Sequence, residues 1–201
     1  MHVENAMGVC PVREDTEMLA AAAAEEAPGR ALDLGTGTGY VAVYLALRGF
    51  EVDAVDVSPR AIAAARANAE RNGVAVRLSS SSLFSAATGT YDVIASNPPQ
   101  RERETELSRL VTSTLLRSLT ISTFLMRTLS PLLEPRRLGF LEQIASGALD
   151  RLRPGGRILL VISPTETAHL LASLPRLRLH DRRPVRTIPG FEVAIFTRAS
   201  Q

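Results

Sequence analysis

Residues 31–39 read ALDLGTGTG, an apolar run that leads directly into three alternating glycines. Leu32 and Leu34 suit a buried β-strand, and the glycines allow the backbone to turn sharply and to approach a ligand closely. The next residues, 40–46, read YVAVYLA and have the apolar spacing of a helix. This stretch therefore predicts a strand, a tight turn and a helix whose N-terminus faces a bound ligand.

The rest of the chain alternates between strand patterns and helix patterns. We predict helices over 16–26, 40–48, 59–72 and 139–152 and one from residue 164, and strands over 30–34, 51–56, 75–78, 91–96, 157–162, 174–183 and 192–198. Strands that are separated by helices pair in parallel through right-handed crossovers. The last two strands flank Pro189-Gly190 and should form a hairpin. The predicted fold class is α/β, a doubly wound, seven-stranded and mostly parallel sheet with an antiparallel C-terminal hairpin.

The spacing of the glycines and acids indicates the class of ligand. A nicotinamide-binding loop commonly reads G-x-G-x-x-G and holds a pyrophosphate, whereas this loop reads G-x-G-x-G. Asp33 lies just before the loop, where a carboxylate repels phosphate but can pair with the ammonium group of an amino-acid ligand. Asp56 ends the second predicted strand, where a carboxylate can accept hydrogen bonds from both ribose hydroxyls. Together these features indicate S-adenosylmethionine rather than a dinucleotide.

The sequence Asn97-Pro98-Pro99-Gln100 directly follows the fourth predicted strand. The two prolines restrict the backbone, so the Asn97 carboxamide and the Pro98 carbonyl can face one point and accept both hydrogens of an NH2 group. The nitrogen of an amide or aromatic amine is a poor nucleophile because its lone pair is delocalised. Catalysis at such a site would therefore rest on positioning and electrostatics.

With these motifs in place, residues 8–163 resemble a class I, Rossmann-like methyltransferase of the HemK-like group. This group includes enzymes that methylate the glutamine side-chain amide of peptide release factors. Five parts of the sequence carry the resemblance. Pro11–Glu17 is similar to a P-x-x-x-x-T-E segment that packs over the cofactor, and Asn97–Pro99 supply three residues of an N-P-P-Y motif. The other three are Asp33–Gly39, Asp56 and the turn Arg153–Arg157. It implies an enzyme that uses S-adenosylmethionine to methylate a planar nitrogen, with a protein glutamine amide as the leading acceptor.

The resemblance also implies a set of site residues. The cofactor-binding residues would be Thr16, Asp33, Gly35, Thr36, Gly37, Gly39, Asp56, Val57, Ser82 and Asn97. The acceptor would contact Asn97, Pro98, Pro99 and Gln100, of which the first two would be catalytic. Two positions depart from the family pattern: Gln100 replaces an aromatic residue, and Ser82 replaces an acid that contacts the adenine amine. Loss of the aromatic residue weakens the case for a flipped nucleobase, because stacking contributes about 1–3 kcal/mol per base.

Three other functions stay open at this point. The first is methylation of an exocyclic amine in RNA or DNA, which predicts salt-sensitive binding through basic residues. The second is methylation of a small molecule, which Gln100 favours. The third is a catalytically silent scaffold that binds the cofactor, or nothing, and serves in a complex.

Composition and length favour a single methyltransferase domain over residues 1–201, with an N-terminal segment and helix over 1–28. All 23 basic residues are arginine, which we attribute to codon usage rather than to a nucleic-acid surface. The single Cys10 excludes an internal disulfide, and no metal-binding pattern is present. Because the N-terminus lacks the pattern of a signal peptide, we expect a cytoplasmic protein. Its expected partner is a methyl-acceptor protein or small molecule, and its oligomeric state stays open.

The segment 101–138 is the part of the chain least like the family. Residues 107–133 are long and apolar enough to suggest a membrane span, but Arg109, Arg117 and Arg127 lie within them. Arginine is costly in the middle of a bilayer, so we expect no membrane span. The prediction is a helical insertion near the substrate entrance, either packed on the core or forming an amphipathic lid or interface helix.

Overall fold

A computed structural model describes residues 1–99 and 136–199 of the chain. Within them, seven strands form one sheet: β1 (Arg30–Leu34), β2 (Glu51–Asp56), β3 (Val76–Ser80), β4 (Tyr91–Ser96), β5 (Leu152–Ile162), β6 (Leu177–Pro184) and β7 (Glu192–Arg198). The described helices are α1 (Glu14–Ala23), α2 (Tyr40–Ala46), α3 (Pro59–Arg71), α4 (136–151) and α5 (Pro164–Ser173). Helices and strands alternate along most of the chain, as the sequence predicts.

The strand order is β3-β2-β1-β4-β5-β7-β6. The first five strands are parallel, and β7 is antiparallel to both β5 and β6. This topology confirms the predicted fold class. Leu34 at the end of β1 is in register with Val55 in β2 and with Ser96 in β4. The carboxyl ends of these three strands therefore lie at one edge of the sheet, where parallel α/β sheets bind ligands.

The core has two halves, one on each face of the sheet. Successive residues of a strand point to opposite faces, so Ala31 packs in the cluster that includes α1 and α2, whereas Leu32 packs in the cluster that includes α4 and α5. Leu32 and Ala31 are both fully buried. Because helices cover both faces of the sheet, the central strands are nearly continuous apolar runs.

Several element boundaries differ by a few residues from the predictions, and α1 and β5 are two examples. Helix α1 begins at Glu14 and ends at Ala23, earlier than the predicted 16–26, and its first turn is rich in acids that favour a helix N-terminus. Strand β5 begins at Leu152 rather than at 157. The predicted turn at residues 153–157 is instead an irregularity within β5, since Tyr91 pairs with Leu152 while Val93 pairs with Arg157.

Gln100 and residues 101–135 of the predicted insertion lie outside the described residues. Residues 136–138 belong to α4. Within residues 1–99 and 136–199, no helix combines the length and the apolar character that a membrane span needs.

Candidate active site

The loop between β1 and α2 is tied to its surroundings by backbone and side-chain hydrogen bonds. The amides of Gly35 and Thr36 both donate to the Val55 carbonyl, at 2.8 and 3.0 Å. Asp33 Oδ2 accepts from Thr36 Oγ1 at 2.6 Å and from the Ala42 amide at 3.2 Å. Asp33 therefore connects the loop to the first turn of α2, and the Thr36 side chain, a predicted cofactor contact, is used inside the loop.

Two of the loop glycines have different physical roles. Gly35 has a φ of +81°, and a Cβ at this position would meet no atom within 4 Å, so the first glycine borders open space. Gly39 has a φ of +80°, and a Cβ there would lie 2.8 Å from the Cα of Ala65. The third glycine is therefore needed for the close approach of α3, while the first leaves room for a ligand.

Asp33 is buried, with only 2% of the residue exposed. Burial raises its pKa to about 6, the nearby Asp56 adds to the rise, and the hydrogen bonds from Thr36 and Ala42 oppose it. A positive group placed beside Asp33 would favour its ionised form. Direct pairing of Asp33 with an ammonium group stays a prediction.

Asp56, at the end of β2, is hydrogen-bonded to the loop and to the residues that follow β2. Its Oδ2 accepts from the Gly37 amide at 3.0 Å, and its Oδ1 accepts from the Ser58 amide at 2.8 Å. An ionised carboxylate has about four acceptor positions, so Asp56 can accept further hydrogen bonds while keeping both of these. Val57 is 74% exposed beside it. The Ser81 amide donates to the Asp56 carbonyl, which brings the exposed Ser82 to the same edge of the sheet.

Asn97 follows β4 at this edge and contacts the start of α1. Its Nδ2 donates to Asp15 Oδ2 at 2.9 Å and lies 3.3 Å from Thr16 Oγ1. The hydroxyl of Thr16, a predicted cofactor contact, thus lies against Asn97. Asp15 is 3% exposed and is not among the residues predicted from the sequence, although it lies within the Pro11–Glu17 segment that the resemblance uses.

Arg137 of α4 contacts the second of the two prolines that follow Asn97. Pro98 is buried and Pro99 is exposed. The Arg137 guanidinium donates to the Pro99 carbonyl and forms an ion pair with Glu166, which belongs to the capping box of α5. Burial opposes ionisation of Glu166, but hydrogen bonds from Arg137 and the Ser163 amide outweigh it and lower the pKa of this carboxyl. Sequence reasoning missed Arg137 because no local pattern links it to Pro99.

Most residues of this site, from Asp15 to Pro99, lie within a region that matches a known family, whereas Arg137 and Glu166 lie beyond it. The sequence model of the methyltransferase small domain family matches residues 11–120, more than half of the chain. The chain belongs to this family. The match includes the glycine loop, Asp56 and Asn97.

Two curated relatives and one solved structure show the extent of similarity. The release factor glutamine methyltransferase of Bordetella pertussis is 36% identical over 196 residues, which cover 90% of this chain and 66% of that protein. The ribosomal RNA small subunit methyltransferase C of Alcanivorax borkumensis is 39% identical over 85 residues, which cover 41% of this chain and 26% of that protein. A ribosomal protein L11 methylase from Lactobacillus delbrueckii subsp. bulgaricus shares the fold, with a TM-score of 0.69 at 18% identity, covering 98% of this chain and 86% of that one. This chain thus spans less than two thirds of either curated relative.

Membership of the family makes this a methyltransferase domain with S-adenosylmethionine as the cofactor. The described residues fit that molecule. Two carboxylates, Asp33 and Asp56, flank a glycine loop whose first glycine borders open space. Carboxylates at these two positions suit a ligand that carries a positive charge and ribose hydroxyls, and they would disfavour a pyrophosphate.

Proposed function

We propose that this chain transfers a methyl group from S-adenosylmethionine to the side-chain amide of a protein glutamine. The observation that carries the proposal is the hydrogen bonding of Asn97 at the carboxyl end of β4. Its Nδ2 is engaged by Asp15 and Thr16, which turns Oδ1, a hydrogen-bond acceptor, away from α1. An acceptor oxygen at this position is suited to one N–H of a substrate NH2 group, and the Pro98 carbonyl is suited to the other.

The residues at the edge of the sheet divide into two groups in this proposal. Asp33, Asp56, Val57, Ser82, Thr16, Thr36 and the three loop glycines would surround the cofactor, with Thr36 acting through Asp33. Asn97, Pro98, Pro99 and Gln100 would contact the acceptor. Asn97 stands between the two groups and could also contact the cofactor.

When bound, S-adenosylmethionine supplies an electrophilic methyl group on a positively charged sulfur. The part of Asn97 and Pro98 is to hold the acceptor nitrogen. Two hydrogen bonds to the N–H groups favour a more tetrahedral nitrogen and direct its lone pair toward the cofactor side. This contribution is positioning, which does not require a strong base.

The choice of glutamine over a nucleobase has two supports. The release factor glutamine methyltransferase of Bordetella pertussis matches across 90% of this chain. Gln100 also stands where related motifs carry an aromatic residue, so a stacking partner for a base is absent from the sequence at that position. A compact planar amide needs no such partner.

The test is incubation of the purified chain with labelled S-adenosylmethionine and a purified bacterial release factor, followed by peptide mapping. We expect label on a single glutamine, and no label after substitution of that glutamine by glutamate. The Asn97→Ala variant provides the enzyme control.

A second candidate acceptor is an exocyclic amine of ribosomal RNA, because the Alcanivorax borkumensis rRNA methyltransferase matches part of this chain. Ribosomal subunits are therefore included as a parallel acceptor. Label in RNA and not in protein would refute the glutamine proposal. Cofactor binding without transfer to either acceptor would also refute it and would support the small-molecule enzyme or the silent scaffold.

A further inference from the structure

The contact between Asn97 and Asp15 joins two parts of the chain that are far apart in sequence. Asp15 lies in the first turn of α1 and is 3% exposed, while Asn97 is half-buried at the end of β4. Asp15 Oδ2 is 2.9 Å from Asn97 Nδ2. The other oxygen, Oδ1, accepts from the Thr16 amide at 2.9 Å. The carboxylate is therefore fixed by its own helix and cannot easily turn away from Asn97.

The two ends of a carboxamide have nearly the same shape but opposite hydrogen-bonding roles. If the Asn97 side chain were rotated by half a turn about its last bond, its N–H groups would face the N–H groups of the acceptor. Thr16 cannot prevent this rotation, because a hydroxyl can donate as well as accept. An ionised carboxylate only accepts, so Asp15 pairs with Nδ2 and disfavours Oδ1.

We propose that Asp15 is a positioning residue that selects the orientation of the Asn97 carboxamide and so presents Oδ1 to the methyl acceptor. This inference rests on the proposed function, because it requires Asn97 to accept a hydrogen bond from the acceptor. It adds a requirement that the Asn-Pro-Pro motif alone does not contain. The motif is active only when an acceptor group on α1 holds the far end of its amide.

The decisive experiment combines substitutions at both positions. Asp15→Ala should lower kcat about tenfold to a hundredfold, the range that corresponds to loss of a hydrogen bond to a charged group. Asp15→Asn should retain more activity than Asp15→Ala, since the new amide can still present its oxygen to Asn97. Glu14→Ala is the matched control: it removes the neighbouring acid of the same turn, which accepts from the Thr187 amide, and kcat should stay within about twofold.

A more stringent experiment exchanges the carboxylate at position 15 and the carboxamide at position 97. Asn97→Asp alone places two carboxylates against each other and should be nearly inactive. When Asp15→Asn is added, an N–H donor on α1 again faces an oxygen acceptor at position 97. The second oxygen of the carboxylate at position 97 then points to the substrate. The double variant should therefore be at least tenfold more active than Asn97→Asp. A role of Asp15 only in starting α1 predicts no such recovery, so a double variant no better than Asn97→Asp would overturn the proposal.

A readout that needs no acceptor keeps this inference separate from the glutamine proposal. The side-chain amide signals of Asn97 in a nitrogen–proton NMR spectrum, assigned with Asn97→Ala, should move in Asp15→Ala and not in Glu14→Ala. Unchanged signals in Asp15→Ala would refute the orienting role even if the enzyme is active. Absence of methyl transfer by the wild-type chain, with these signals displaced as expected, would instead refute the glutamine acceptor alone.

Discussion

Replacing Asp33 by asparagine tests whether the cofactor loop holds a costly buried charge. Asparagine keeps the size of the side chain and an oxygen that can accept from Thr36 Oγ1 and the Ala42 amide, the two hydrogen bonds of the native carboxylate. It removes the capacity to ionise and replaces the second carboxylate oxygen by a neutral NH2 group. The substitution therefore separates the electrostatic role of Asp33 from its role in fixing the loop.

The magnitude follows from the pKa of the buried carboxyl. Burial raises the pKa of Asp33 from an ordinary 3.8 to about 6, and each pKa unit corresponds to about 1.4 kcal/mol, so the total is about 3 kcal/mol. A carboxyl whose pKa is higher in the folded state contributes stability below the unfolded value, and this contribution is lost as the pH rises through the folded value. Between about pH 4 and pH 7, the cofactor-free wild-type chain should thus lose about 3 kcal/mol relative to Asp33→Asn.

The assay is urea unfolding of the wild-type chain and of Asp33→Asn across this pH range without cofactor. Asp150→Asn, a surface carboxylate whose side chain is 60% exposed, is the control and should follow the wild-type curve. The cofactor measurement has the opposite sign: Asp33→Asn should bind S-adenosylmethionine more weakly above pH 6, because it cannot offer a negative charge to the positive ligand. A difference in unfolding free energy that does not change with pH would refute the reasoning.

Three further predictions concern the other residues of the site. Asp56→Ala should weaken S-adenosylmethionine binding by about 1.5–3 kcal/mol, the scale of hydrogen bonds to a charged group, and calorimetry should detect no NAD binding to the wild-type chain. Asn97→Ala should abolish turnover while cofactor affinity stays within several-fold; loss of cofactor affinity with an unchanged rate at saturation would make Asn97 a cofactor ligand only. Arg137→Gln should cost about 1.5–3 kcal/mol of unfolding free energy, because it removes the charged partner of the Glu166 carboxylate, which keeps the hydrogen bond from the Ser163 amide. The exposed neighbour Arg136→Gln should stay within about 0.5 kcal/mol, and equal losses in the two variants would contradict the role given to Arg137.

Much of the fold could be predicted because its determinants are local. The apolar residues before Gly35 define a buried strand, the glycines define the turn, and the spacing after Gly39 defines a helix. Repetition of this unit implies parallel pairing, since a strand followed by a crossover helix returns in parallel. The glycine loop, Asp56 and the Asn97-Pro98-Pro99 motif indicated the family and the cofactor from the sequence, because Asp33, Asp56 and Asn97 each lie at or just after the carboxyl end of a strand at the same edge of the sheet.

The partners of the site residues were decided only by the tertiary structure. Asn97 meets Asp15 across 82 positions of sequence, and Arg137 reaches the Pro99 carbonyl from the other side. Neither pairing has a local pattern, because such contacts depend on how α1 and α4 pack on opposite faces of the sheet. The inward position of Asp33 and the irregular start of β5 at Leu152 are likewise consequences of packing. Periodicity within a segment specifies which residues are buried, whereas the direction and partner of a buried polar group are set by the segments that close around it.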